Sequence, residues 1–176
     1  MKTMFIYILV IPLVVFTKIE HVKGHVIQYK KQRVHDHGSG ALGLVIEGLK
    51  GNIEFEIPCE SIFGFEYAAK SDKDKAKRDG ALAILENKIS EMIIFDGELN
   101  CKIIKEKINI LSESSKHSDL TANYAVSCDK SPLGTEIVFN FHDKFPMIKK
   151  IKVSIIIDNL QKSVKVDKSN IRQLLK

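Results

Sequence analysis

The sequence predicts an α+β domain in which a predominantly antiparallel sheet, curved or sandwich-like, carries one main packed α-helix. Three observations point there. Ile53, Phe55 and Ile57 alternate with Asn52, Glu54 and Glu56, the period of a strand with one face in a core and one in water. Leu82, Leu85, Ile89, Met92 and Ile93 recur at three- and four-residue steps, the period of one amphipathic helix. From Leu99 onward the alternation returns in short runs separated by short connections, which favours antiparallel pairing.

At the amino terminus, residues 1–24 read as a secretory signal. Lys2 supplies the positive charge, Met4 to Phe16 is almost wholly apolar, and Val22-Lys23-Gly24 precedes a cut that leaves His25 first. A membrane-spanning helix needs roughly 20 apolar residues. This run is shorter, contains Pro12, and is followed at once by Lys18, Glu20 and Lys23. Residues 25–176 then form a single domain whose apolar content suffices for one core.

Leu42 to Glu47 is the hairpin partner of the strand ending at Ile57, with Gly48 and Gly51 in the reversing segment. Ser71 or Asp72 caps the helix, and Gly80 weakens its first half by roughly 1 kcal/mol against alanine. Further strands are expected at Leu99 to Ile110, Leu120 to Cys128, Thr135 to Phe141, Ile148 to Ile157 and Ser163 to Val166.

Charge argues against nucleic acid as a partner. The chain has 27 basic and 22 acidic residues, and removing Lys2, Lys18, Lys23 and Glu20 leaves 24 against 21. So small an excess is no electrostatic footprint for a polyanion. Lys149, Lys150 and Lys152 form the densest basic cluster, but no aromatic platform lies between them and they fit a solvated strand face. Enzymatic signatures are absent: no His-Glu-x-x-His helix, no Gly-x-Ser-x-Gly elbow, no phosphate-binding glycine loop.

Cysteine usage agrees with export. Cys101 and Cys128 each fall beside strand-like sequence, and an oxidising compartment lets them join, although three cysteines leave other pairings open. Cys59 follows Pro58 at the end of an apolar strand and reads as a buried, inert thiol.

The residues with metal chemistry are few. In His35-Asp36-His37-Gly38 the i, i+2 spacing sends both imidazoles to one side of an extended segment, as two ligands of one ion require. His117-Ser118-Asp119 offers another imidazole with a carboxylate that either ligates or orients it. Glu66, in Gly64-Phe65-Glu66-Tyr67, is a further oxygen donor. Each also has a plainer reading, as an exposed polar pair, a loop histidine and a surface glutamate. His142 lies in a turn between strands.

Taken in order, His35-x-His37-Gly38, Gly64-Phe65-Glu66, Cys101, His117-x-Asp119 with Tyr124 and Cys128, then Phe141 and Phe145-Pro146, resemble a known family. It is the zinc-regulated periplasmic zinc-binding proteins of Gram-negative bacteria, long catalogued as a domain of unknown function and often encoded beside zinc importers. The resemblance implies a soluble periplasmic protein that binds Zn2+ and assists its uptake without catalysis, meeting a zinc ABC importer or its binding protein. It implies ligands at His35, His37 and His117, with Asp119 and Glu66 as further candidates, and a structural pair at Cys101 and Cys128. Two departures stand out. Many members have a histidine where Tyr67 stands, and many carry a long tract of histidine and acidic residues where this chain has only Leu111-Ser112-Glu113-Ser114-Ser115-Lys116. A chain without that tract is expected to hold few ions, one in the simplest case. The alternative to zinc binding is a metal-free periplasmic structural or protein-interaction module working through its sheet edges.

Overall fold

In a computed structural model of the chain, residues 37–112 and 117–176 are described. The expected signal segment, His35 and Asp36 lie outside them.

The hairpin forms as the alternation requires. β1 (Ser39–Glu47) and β2 (Lys50–Pro58) pair antiparallel, with Leu42 opposite Phe55 and Leu44 opposite Ile53. β2 continues directly into a short helix, α1 (Cys59–Phe63), which stops at Gly64, where φ is +84°. A side chain is strained in that left-handed conformation, and glycine carries none. α2 (Asp72–Asn87) follows, and the Ser71 hydroxyl accepts a hydrogen bond from the Asp74 amide at 3.1 Å. That cap satisfies one of the first-turn donors. The helix runs through Gly80 without a break.

Beyond Asn87 the expected single helix is corrected. α3 (Ile89–Met92) is a separate turn, and β3 (Ile93–Phe95) is extended. Leu85, Ile89, Met92 and Ile93 are all buried, so the periodic apolar positions do face the core, but they do so from three successive elements. The run Ile93-Ile94-Phe95 is β-branched and aromatic, and pairing with another strand outweighs its helical spacing.

β4 (Lys102–Ser112) and β5 (Ser118–Ser127) form a second hairpin with a register shift between Lys105 and Lys107. β6 (Glu136–Phe139), β7 (Lys150–Ile157), β8 (Leu160–Val166) and β9 (Ile171–Leu174) complete the chain. The strands divide into a six-stranded sheet ordered β4-β5-β2-β1-β7-β8 and a three-stranded sheet ordered β3-β6-β9. No sheet curls into the expected sandwich. One pairing, β1 with β7, is parallel. Short connections dictate antiparallel pairing only between strands adjacent in sequence. β1 and β7 are separated by more than half the chain, ample for the crossover a parallel pair needs.

The register places Leu42, Phe55, Ala122 and Val153 in one row on the inner face, and all four are buried. Phe141 stacks on Phe55 with ring centroids 5.3 Å apart. α2 meets this face through Ala81 and Leu85, and the buried Tyr124 hydroxyl donates to the Leu85 carbonyl at 3.1 Å.

Candidate metal centre

Topology gathers the candidate ligands at one end of the larger sheet. β2 lies between β1 and β5 and runs antiparallel to both, so it ends where they begin. His37 lies two residues before β1, Glu60 two residues beyond β2, and His117 one residue before β5. Glu66 returns to the same place because α1 reverses at Gly64. Gly38 makes the matching turn before β1, with φ of +87° and space for no Cβ: one would lie 2.7 Å from the Lys149 side chain. Its carbonyl accepts from the Lys149 and Lys150 amides at 2.7 and 3.1 Å, which anchors the base of His37 to the start of β7.

His37, Glu60 and Glu66 each place a donor atom within 4.8 Å of the others. His37 Nδ1 pairs with Glu60 Oε2 and lies 3.7 Å from Glu66 Oε1. The other carboxylate oxygen, Glu66 Oε2, is 2.9 Å from His117 Nδ1, so a single carboxylate faces both imidazoles. The two rings are 6.4 Å apart between centroids. The Glu66 side chain is only 13% exposed, whereas His37 and His117 are 56% and 63% exposed. The carboxylate is therefore the fixed floor of the cluster and the imidazoles its open rim.

This donor set suits zinc. Two imidazoles and two carboxylates supply nitrogen and oxygen ligands with enough negative charge to balance a dication. Donors bound at about 2.0–2.1 Å to a tetrahedral ion lie roughly 3.4 Å apart. The observed 2.9 and 3.7 Å separations, to the two oxygens of Glu66, bracket that distance; His37, Glu60 and Glu66 already lie close enough to share an ion, and His117 has to swing toward them to join it. Calcium would be poorly served by the imidazoles.

The structure brings together three of the residues singled out in the sequence: His37, Glu66 and His117. It adds Glu60, which no sequence spacing had marked. Asp119 is the second residue of β5, in register with Pro58 and Leu111, and strand alternation puts it on the opposite face from Ser118. Neither Asp119 nor His117 is among the three residues whose donor atoms converge; His117 reaches the cluster through its contact with Glu66. Tyr67 is 56% exposed and stacks on Phe65 at 4.9 Å, which braces the loop beside Glu66.

Cys59, the first residue of α1, is buried behind the cluster. Burial pushes its thiol up to about 11, the negative charges of Asp119 and Glu66 add to the rise, and a hydrogen bond with Ser118 opposes it. Alkylation needs the thiolate, so iodoacetamide at neutral pH should leave Cys59 unmodified in the folded protein and label it after denaturation. Intact-mass analysis showing rapid labelling of the native protein would contradict this burial. Cys101 and Cys128 form a disulfide at the other end of β5.

With the site in view, comparison with known proteins is informative. Residues 34–174 match the model of the ZrgA family of zinc uptake proteins. The match covers most of the chain, and the chain belongs to that family. Proteins of this family are non-catalytic zinc-uptake accessory proteins, and membership supports a zinc-related role in the periplasm. No curated protein matches the chain. Among the described residues no helix is long and apolar enough to cross a membrane.

Proposed function

We propose that this protein is a non-catalytic periplasmic zinc carrier that holds Zn2+ at His37, Glu60, Glu66 and His117 and releases it to a zinc importer or to that importer's binding protein. The observation that carries this reading is the convergence of four donor-bearing segments on one end of the sheet, with the Glu66 carboxylate between two imidazoles. Two exposed histidines leave the ion accessible to a competing ligand, which suits transfer better than permanent structural binding. His35 is an additional ligand in this proposal, two residues from His37 in sequence. Asp119 contributes negative charge behind the donors rather than a bond to the ion. The signal at residues 1–24 delivers residues 25–176 to the periplasm, where they work as one domain.

Calorimetric titration of the purified protein with zinc tests this directly. The expected result is tight binding of about one ion per chain, lost in the His35→Ala, His37→Ala double variant and severely weakened by His117→Ala. Several ions per chain by elemental analysis would contradict the single site. No binding by the unsubstituted protein would remove the carrier reading and leave a metal-free interaction module in its place.

A further inference from the structure

Among the described residues three serine side chains are buried: Ser39, Ser61 and Ser118. Two of these hydroxyls join the backbone segments that carry the candidate ligands. The Gly38 amide, next to His37, donates to Ser61 Oγ at 3.1 Å, and Ser61 follows Glu60 in α1. The Ser118 hydroxyl, next to His117, donates to the backbone carbonyl of Glu66 at 2.7 Å. Every one of the four donor residues is thus tied, through its own carbonyl or its immediate neighbour, to the segment of another.

We infer that Ser61 and Ser118 are positioning residues that hold the four donor segments in register and thereby set the affinity of the site for zinc. The inference rests on the zinc-binding reading above. Its physical basis is the reach of the alternatives. None of the four donors lies in the sheet ladder, three of them sitting one or two residues past a strand end and Glu66 in the loop after α1, so strand pairing alone does not fix their side chains. A buried hydroxyl has no water to exchange with, and each bond it makes is retained for as long as the segment stays folded. Removing one frees the segment to drift, and the ion then has to supply the ordering that the serine had supplied beforehand.

The test is zinc affinity, read by competition with a chromogenic chelator, together with metal-free stability by urea melts, for Ser61→Ala, Ser118→Ala and Ser118→Thr. Tyr124→Phe serves as the comparison, because it removes another buried hydroxyl-to-carbonyl bond, to Leu85 rather than to the site. Ser61→Ala and Ser118→Ala should each weaken zinc binding by roughly 10- to 100-fold, the range found when partners of metal ligands are removed. Ser118→Thr, which keeps the hydroxyl, should recover most of the affinity. Tyr124→Phe should lose stability and leave affinity unchanged. Cobalt(II) substituted for zinc should show altered ligand-field bands in the alanine variants and not in Tyr124→Phe. If both alanine variants bind zinc as the unsubstituted protein does, or lose no more than Tyr124→Phe, the serines are merely structural and the inference fails while the carrier reading stands. The two serines are read independently, so a folding defect in one variant leaves the other decisive. Failure of the unsubstituted protein to bind zinc overturns both.

Discussion

Glu66→Gln should weaken zinc binding by more than about 100-fold, beyond the range expected when only a partner of a ligand is lost, and should leave the metal-free fold as stable as before within about 1 kcal/mol. The two halves of this expectation have separate causes. Glutamine has the shape of glutamate, so the backbone bond from Ser118 to the residue 66 carbonyl is preserved, and the amide can still pair with the imidazole of His117. Removing a largely buried carboxylate also removes its desolvation cost, which offsets the lost ion-pair contact. The ion, however, loses the one donor that faces both His37 and His117. Glu60→Gln should cost less, because the Glu60 side chain is 39% exposed and, among the described residues, its ion pair is with His37 rather than with both imidazoles. Parallel chelator competition and urea melts measure both quantities. Equal losses for the two variants would mean that Glu66 is no more central than Glu60.

Much of this arrangement was legible before folding, and the parts that were not share a cause. The β1–β2 hairpin and the strands β5 and β7 follow from alternation because each buries one whole face, so the local pattern and the final packing agree. The end of α2 does not follow, because Ile93 to Phe95 satisfies helical spacing locally and is claimed by β6 instead. Likewise the parallel β1–β7 pair is a contact between distant segments, which periodicity does not encode. At the site, His37 and His117 were visible as histidines flanking strands, and Glu66 through its place in an ordered set of residues. Glu60 was hidden because a glutamate after a strand is ordinary in sequence. Its meaning comes from the hairpin: a strand antiparallel to both neighbours must end where they start, which places Glu60 beside His37 and His117. The same reasoning, applied to the predicted hairpin alone, would have brought Glu60 next to His37.

Replacing both Cys101 and Cys128 by serine should lower stability by about 3–4 kcal/mol on the chain-entropy account of a closed loop, given the 27-residue separation of the two cysteines. For a domain of this size that corresponds to a fall of about 10 °C in the melting midpoint. The double variant is the right one, since a single serine leaves a thiol free to seek Cys59. The disulfide closes the β4–β5 hairpin at the end where Lys102 pairs with Ser127. It is reinforced there by the Cys128 amide donating to the Leu49 carbonyl, the Asp129 amide to the Leu99 carbonyl, and Asn100 Nδ2 to Asp129 Oδ2. These bonds belong to the folded state and remain without the bridge, so the loss acts mainly through a less constrained unfolded chain. β5 separates this end from His117 by nearly its whole length, roughly 30 Å at the usual rise per strand residue. Zinc affinity of the folded variant should therefore equal that of the parent, while urea melts shift to lower denaturant. An oxidising compartment is what makes this bridge available; the same protein produced under reducing conditions should melt like the serine variant. A variant as stable as the parent would show that the pair contributes nothing to folding. Loss of zinc binding in a variant that is still folded would show instead that the two ends of β5 are mechanically coupled.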